Sequence, residues 1–226
     1  MNWQFVSFFG DSTVLLPSAA AVFMVLFLRR PSRQSAAVLF IILLLRKSSK
    51  YVAWLWVLLF GMTGAIVSAS KLAFMGWGVG IRELDFTGFS GHSALSAAFW
   101  PIFLWLLSAQ SSSALRRVSV LVGYVIAGLV GYSRLMLQAH SISEVIAGLL
   151  LGTCGSALFL LLQTRSSCFA DVSLSRGGLL SLVLIPVVLL NTGMKAPTQS
   201  LLGEIAVKIG PLAKPFTRAD LHKNFY

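Results

Sequence analysis

Charge is what this chain has least of. Only 11% of its 226 residues are Asp, Glu, Lys or Arg, against about 25% in an ordinary soluble domain. That is too few to cover a water-facing surface, which excludes a soluble globular fold and a disordered chain. Cysteine is as scarce, with two residues, and a disulfide scaffold is excluded. Cys154 lies in an apolar run and Cys168 in a polar stretch beyond it, so a bridge between those depths is not expected. Met1–Gly10 lacks the basic n-region and small-residue cleavage pattern of a signal peptide. The first apolar segment is therefore expected to be retained. Apolar residues, by contrast, make up 57% of the chain, with 19 glycines and a mean hydropathy of +0.84. The class this leaves is an all-α, polytopic membrane helix bundle.

The net charge of +11 raises nucleic acid as a partner, but its distribution argues against it. Lys and Arg fall in short runs between apolar segments, where they meet lipid headgroups and set topology. Membrane lipids, not nucleic acid, are the expected partners. A spanning helix needs about 20 mostly apolar residues, and six runs qualify approximately: Ser12–Leu28, Tyr51–Ala69, Gly91–Ala109, Val118–Tyr132, Ile142–Gln163 and Gly177–Asn191. A seventh, Ser35–Leu45, is short enough to read as interfacial or re-entrant. That reading puts Arg29, Arg30, Arg33, Arg46, Lys47, Lys50, Arg116, Arg117, Arg165 and Arg176 on one face, taken as cytoplasmic. Both termini then face the other side.

Residues 1–191 read as one transmembrane domain and 192–226 as an extracytoplasmic tail. In the tail Leu201, Ile205, Ile209 and Leu212 recur at helical spacing, an amphipathic segment expected to lie on the membrane. The tryptophans Trp54, Trp56, Trp77, Trp100 and Trp105 read as interfacial or lipid-facing. Gly148 and Gly152 form a GxxxG step suited to close helix packing.

Ionisable groups are few, with three His and seven acidic residues, so their placement is informative. The topology puts Lys71, Arg82, Ser90, His92, Arg134, His140 and Glu144 at one membrane face. Charges and imidazoles are costly at a lipid boundary and mark a candidate site. The three cations suit a tetrahedral oxyanion. Ser90 and Gly91 lie at a helix start, where free N–H groups favour phosphate. Two histidines can divide nucleophilic and acid roles. Glu144 lies four residues after His140, on the same helix face, where it can orient the ring. Ser141 and Glu144 also form an S-x-x-E capping box. With cations facing the phosphoryl oxygens, no metal and no cofactor are expected.

The order Lys71, then Ser90-Gly91-His92, then Ser133-Arg134-x5-His140-x3-Glu144 resembles the type 2 phosphatidic acid phosphatase (PAP2) superfamily. That family carries a Lys and Arg in its first motif, PSGH in its second and SR-x5-H-x3-D in its third. The resemblance implies a PAP2-like helical core of about six transmembrane helices. It implies that His140 attacks phosphorus to form a phosphohistidine, that His92 protonates the leaving oxygen, and that Glu144 replaces the family's aspartate. It further implies phosphate binding by Lys71, Arg82, Ser90, Gly91 and Arg134. The substrate implied is a lipid phosphate or diphosphate, such as undecaprenyl diphosphate, phosphatidylglycerol phosphate, phosphatidate or a phosphorylated lipid A. The location implied is a bacterial inner (plasma) membrane, with the site facing out of the cytoplasm.

The chain departs from the family pattern at three points. The first motif usually runs K-x6-RP, whereas Arg82 follows Lys71 after ten residues, with Glu83 in the proline's place. Phe89 replaces the second-motif proline, and Glu144 is one methylene longer than Asp. Transfer of the phosphoryl group to another lipid is the alternative chemistry. A lipid-phosphate transporter is a remoter one, because the spans offer almost no deep polar residues. Neither the particular lipid nor an oligomeric state follows from the sequence.

Overall fold

The computed structural model describes residues 2–27, 49–164, 184–188 and 198–223. Every regular element among them is helical, apart from an isolated bridge between Ile81 and Phe86. The elements are α1 (Trp3–Phe8), α2 (Ser12–Phe27), α3 (Ser49–Trp77), a 3-10 turn (Arg82–Leu84), α4 (Gly91–Leu107), α5 (Ser113–Met136), α6 (Ile142–Thr164), α7 (Thr198–Ile209) and α8 (Arg218–His222). Among the described residues four stretches are long and apolar enough to cross a membrane: Trp3–Phe27, Val52–Trp77, Ser113–Met136 and Ile142–Gln163. Gly91–Leu107 is apolar but shorter.

The described residues do not reach the expected count of six. Most of Gly177–Asn191 lies outside them, with only 184–188 seen as helix, and Ser35–Leu45 lies wholly outside. The helix expected to end at Ala69 instead runs on to Trp77, because nothing in Ser70–Trp77 interrupts it before Gly78 turns with φ +70°. At 1.5 Å per residue its 29 residues span about 43 Å, more than the ~30 Å of a bilayer's hydrocarbon. Lys71 therefore sits within the helix rather than beyond its end.

α4 is the axis of the fold. It is apolar on all sides and buried along most of its length, as a helix surrounded by others must be. α5 and α6 reach it through glycines. A Cβ at Gly123 would stand 2.5 Å from the Pro101 backbone, and one at Gly152 only 2.0 Å from the Ala94 carbonyl. Gly148 is similarly close to the Ser90 carbonyl, at 2.7 Å, so the GxxxG step is where α6 seats on α4.

Around α4 lies an aromatic core in which Trp56 stacks on Phe60 and Phe99 on Phe103. Here the tryptophan expectation divides. Trp54 and Trp77 are half exposed, but Trp56, Trp100 and Trp105 are buried. Trp100 donates its indole N–H to the Phe9 carbonyl at 2.8 Å, and Trp105 meets Phe159 edge-on. Their apolar area packs on protein because α4 has no lipid-facing side.

In the tail, α7 turns the small face of Gly203 and Ala206 onto α3, while Leu201 and Ile209 point away from the protein. The amphipathic helix exists, and it is docked.

Candidate active site

At one end of the bundle, the C-terminal parts of α3 and α5 meet the N-termini of α4 and α6 and the turn between α1 and α2. A cavity of about 580 Å³ opens there. Its polar wall carries Lys71, His92, Arg134 and His140, with Gly91 at the start of α4. Its apolar side runs between α2, α3 and α4 past Leu16, Phe60, Val67 and Leu95. Five of the residues singled out in the sequence thus share one space.

His140 follows the end of α5, where Gln138 adopts a left-handed φ of 50° that turns the chain toward α6. Its Nδ1 lies 2.6 Å from Glu144 Oε2, leaving Nε2 as the nitrogen free of that contact. Glu144 is fully buried in the first turn of α6, where the helix dipole favours a carboxylate. The capping box is formed as well. The Ser141 N–H donates to Glu144 Oε2 and the Glu144 N–H to Ser141 Oγ, both at 3.3 Å. The other carboxylate oxygen, Oε1, accepts from the Thr87 N–H at 2.8 Å and from the Thr87 hydroxyl. Burial pushes the His140 imidazole below its ordinary value, Glu144 draws it back up, and Lys71 and Arg134 add to the lowering.

His92 has its own carboxylate, one that the motif spacing does not reveal. Asp11 is buried between α1 and α2, with Oδ2 3.5 Å from His92 Nε2. Its other oxygen is held by the Thr13 N–H at 2.9 Å and the Thr13 hydroxyl at 2.8 Å. The available signal was an acidic residue at the start of an apolar span, a costly placement in a chain with seven acids.

Arg134 lines the cavity and donates to Ser7 Oγ at 2.7 Å, while its buried Nε has no partner among the described residues. Lys71 donates to Gln199 of α7 at 3.0 Å, and Gly88 packs against the Lys71 backbone with φ +136°.

Two of the expected phosphate contacts are not brought to the cavity. Ser90 is fully buried. Its N–H donates to the Glu144 carbonyl at 3.1 Å and its Oγ accepts from Ser93, tying the start of α4 to the start of α6. It occupies the N-cap position without a side-chain cap bond. Arg82 is exposed on the 3-10 turn and lines neither this cavity nor a smaller one of about 250 Å³ beside it. That smaller cavity shares Lys71, His140 and Gln199 and is walled by Phe216, Thr217 and Arg218 from the tail. No sequence pattern marks Gln199 or Arg218. Among the described residues no three His, Cys, Asp or Glu side chains cluster as metal ligands would.

A family model described as the PAP2 superfamily matches residues 70–168, a stretch that contains Lys71, His92, Arg134, His140 and Glu144. The chain belongs to the PAP2 superfamily. It is 66% identical over 223 residues, 99% of each chain, to a Klebsiella pneumoniae protein described as an uncharacterized 22.5 kDa protein in cps region. No solved structure matches it. Membership supports phosphatase-type activity, on a fold of apolar, membrane-length helices. Asp11, Gln199 and Arg218 lie outside the stretch that the PAP2 match covers.

Proposed function

We propose that this PAP2 protein is a membrane phosphatase that hydrolyses a lipid phosphate or diphosphate through a phosphohistidine on His140. The observation that carries the reading is the pairing of each cavity histidine with a buried carboxylate, His140 with Glu144 and His92 with Asp11. Such pairs fix ring orientation and stabilise imidazolium when it forms.

In the first step His140 Nε2 attacks phosphorus and the bond from phosphorus to the leaving oxygen breaks. That oxygen takes its proton from His92. In the second step water attacks the phosphohistidine, the P–N bond breaks, and the water proton goes to His92 as inorganic phosphate leaves. Lys71, Arg134 and the Gly91 N–H face the phosphoryl oxygens. Their charge and donors do the work of transition-state stabilisation, so the reaction is expected to proceed without a metal.

A lipid fits the cavity because its apolar side, past Leu16, Phe60 and Leu95, gives an acyl or isoprenyl chain a path while the headgroup reaches His140. Undecaprenyl diphosphate, phosphatidylglycerol phosphate, phosphatidate and phosphorylated lipid A share that chemistry. The basic-residue distribution favours an extracytoplasmic site, and the family resemblance favours a bacterial inner membrane.

The experiment is phosphate release from these four lipids in detergent with EDTA present, for wild type and His140→Ala. Release that survives EDTA and vanishes in the variant is the expected result. Equal release from both proteins would remove His140 as the nucleophile.

A further inference from the structure

The C-terminal tail reaches the catalytic pair. Arg218 Nη2 lies 2.8 Å from Glu144 Oε1, the oxygen that does not face His140. Nη1 of the same guanidinium pairs with the Asp85 carboxylate and lies 3.4 Å from the Asp85 carbonyl oxygen. We propose that Arg218 is a positioning residue for the reaction, a fork that clamps Glu144 Oε1 so that Oε2 stays aimed at His140 Nδ1. This rests on the phosphohistidine reading above.

Three observations support the assignment. First, a fully buried carboxylate needs its charge compensated, and on the Oε1 side, among the described residues, only Arg218 of its contacts carries a full positive charge. Second, Arg218 is built in. α8 opens with a capping box between Thr217 and Asp220. His222 Nε2 lies 2.7 Å from the second oxygen of Asp85. The Phe216 N–H donates to the Met75 carbonyl at 2.8 Å, and its ring meets Phe74 edge-on at 5.4 Å. Third, two carboxylates face this one cation, which suits it to holding Glu144 rather than a phosphate. A planar guanidinium can serve both in one geometry, whereas an ammonium cannot.

The groups acting on His140 come from five elements: Lys71 on α3, His92 on α4, Arg134 on α5, Glu144 on α6 and, through Glu144, Arg218 on α8. Removing the Arg218 charge leaves the Glu144 carboxylate less compensated. Its pull on the His140 proton then grows, and the carboxylate loses the contact that fixes its rotation.

The test is a ¹⁵N-imidazole NMR titration of the full-length protein in detergent micelles, with the His140 resonance assigned by its loss in His140→Ala. It is paired with phosphate release from phosphatidate or undecaprenyl diphosphate. In Arg218→Gln the His140 midpoint should rise by about half a unit or more, and kcat should fall several-fold with KM unchanged. Arg218→Lys keeps the charge without the fork, so it should restore the midpoint but only part of kcat; its behaviour also separates the effect from a folding defect. A His140 midpoint and a kcat both unchanged in Arg218→Gln would overturn the proposal. If His140→Ala itself releases phosphate normally, the phosphohistidine reading fails, and Arg218 cannot be a positioning residue for it.

Discussion

Asp11 and His92 face one another across the junction of α1, α2 and α4, with 3.5 Å between Oδ2 and Nε2. Thr13 fixes the other carboxylate oxygen, so Asp11 is aimed rather than merely near. A carboxylate in this place orients the imidazole that serves as general acid. Asp11→Asn should therefore lower kcat by about 10- to 100-fold, at or below the lower end of what general acid catalysis contributes, because Asp11 acts through His92. The loss should be large for a lipid phosphate, whose alkoxide leaves poorly, and small for an aryl phosphate, whose phenolate leaves unaided. Steady-state rates on both substrates, with His92→Ala alongside, check this. An equal loss on both would mean that Asp11 acts on structure instead.

The two arginines proposed from sequence for phosphate binding should separate. Arg134 lines the cavity, whereas Arg82 is exposed and outside it. Arg134→Ala should lower kcat/KM by about 2 kcal/mol or more, as expected for a charge-assisted contact to phosphate. Arg82→Ala should change it by less than about 1 kcal/mol. Comparing kcat/KM for the two variants on one lipid decides the matter, and a larger loss at Arg82 would contradict this arrangement.

The direction of the His140 shift sets a pH expectation. Burial, Lys71 and Arg134 outweigh Glu144 and hold the imidazole below its ordinary value of about 6.5. A group shifted down keeps its neutral, nucleophilic form at pH values where a free imidazole is already half protonated. The NMR midpoint of His140 should lie below about 6.5, and the acid limb of the kcat/KM profile should follow that midpoint. A midpoint above 6.5 would mean that Glu144 dominates.

The contact between α6 and α4 should not tolerate bulk. A Cβ at Gly152 would stand 2.0 Å from the Ala94 carbonyl, which is backbone and cannot swing aside. Gly152→Val should destabilise by about 2 kcal/mol or more, seen as a lowered thermal midpoint in detergent. Gly128, where an added Cβ would meet nothing within 4 Å, is the control, and Gly128→Ala should leave the midpoint near wild type.

What is legible in the sequence is whatever local spacing encodes. His140 and Glu144 are one helical turn apart, so their contact follows from geometry. Gly148 and Gly152 announce a helix contact in the same way, and the span Ile142–Gln163 has the same bounds in sequence and structure. Contacts between distant segments leave no such trace. Asp11 meets His92, Gln199 meets Lys71 and Arg218 meets Glu144 only after the helices have packed. Ser90 looks like a phosphate donor because it opens a helix, yet packing against α6 uses its N–H for the Glu144 carbonyl. Hydropathy is equally blind to whether an apolar side chain meets lipid or protein, which is why Trp56, Trp100 and Trp105 read as interfacial or lipid-facing and are instead buried in the bundle.

The central claim is a covalent phosphate on His140. The most direct test is to mix the protein with ³²P-labelled lipid phosphate, quench in base within the first turnover, and locate the label by peptide mapping. The account predicts label on the peptide carrying His140, stable to base and lost in acid, and none in His140→Ala. Turnover by wild type with no labelled histidine at any quench time, together with undiminished release by His140→Ala, would contradict it.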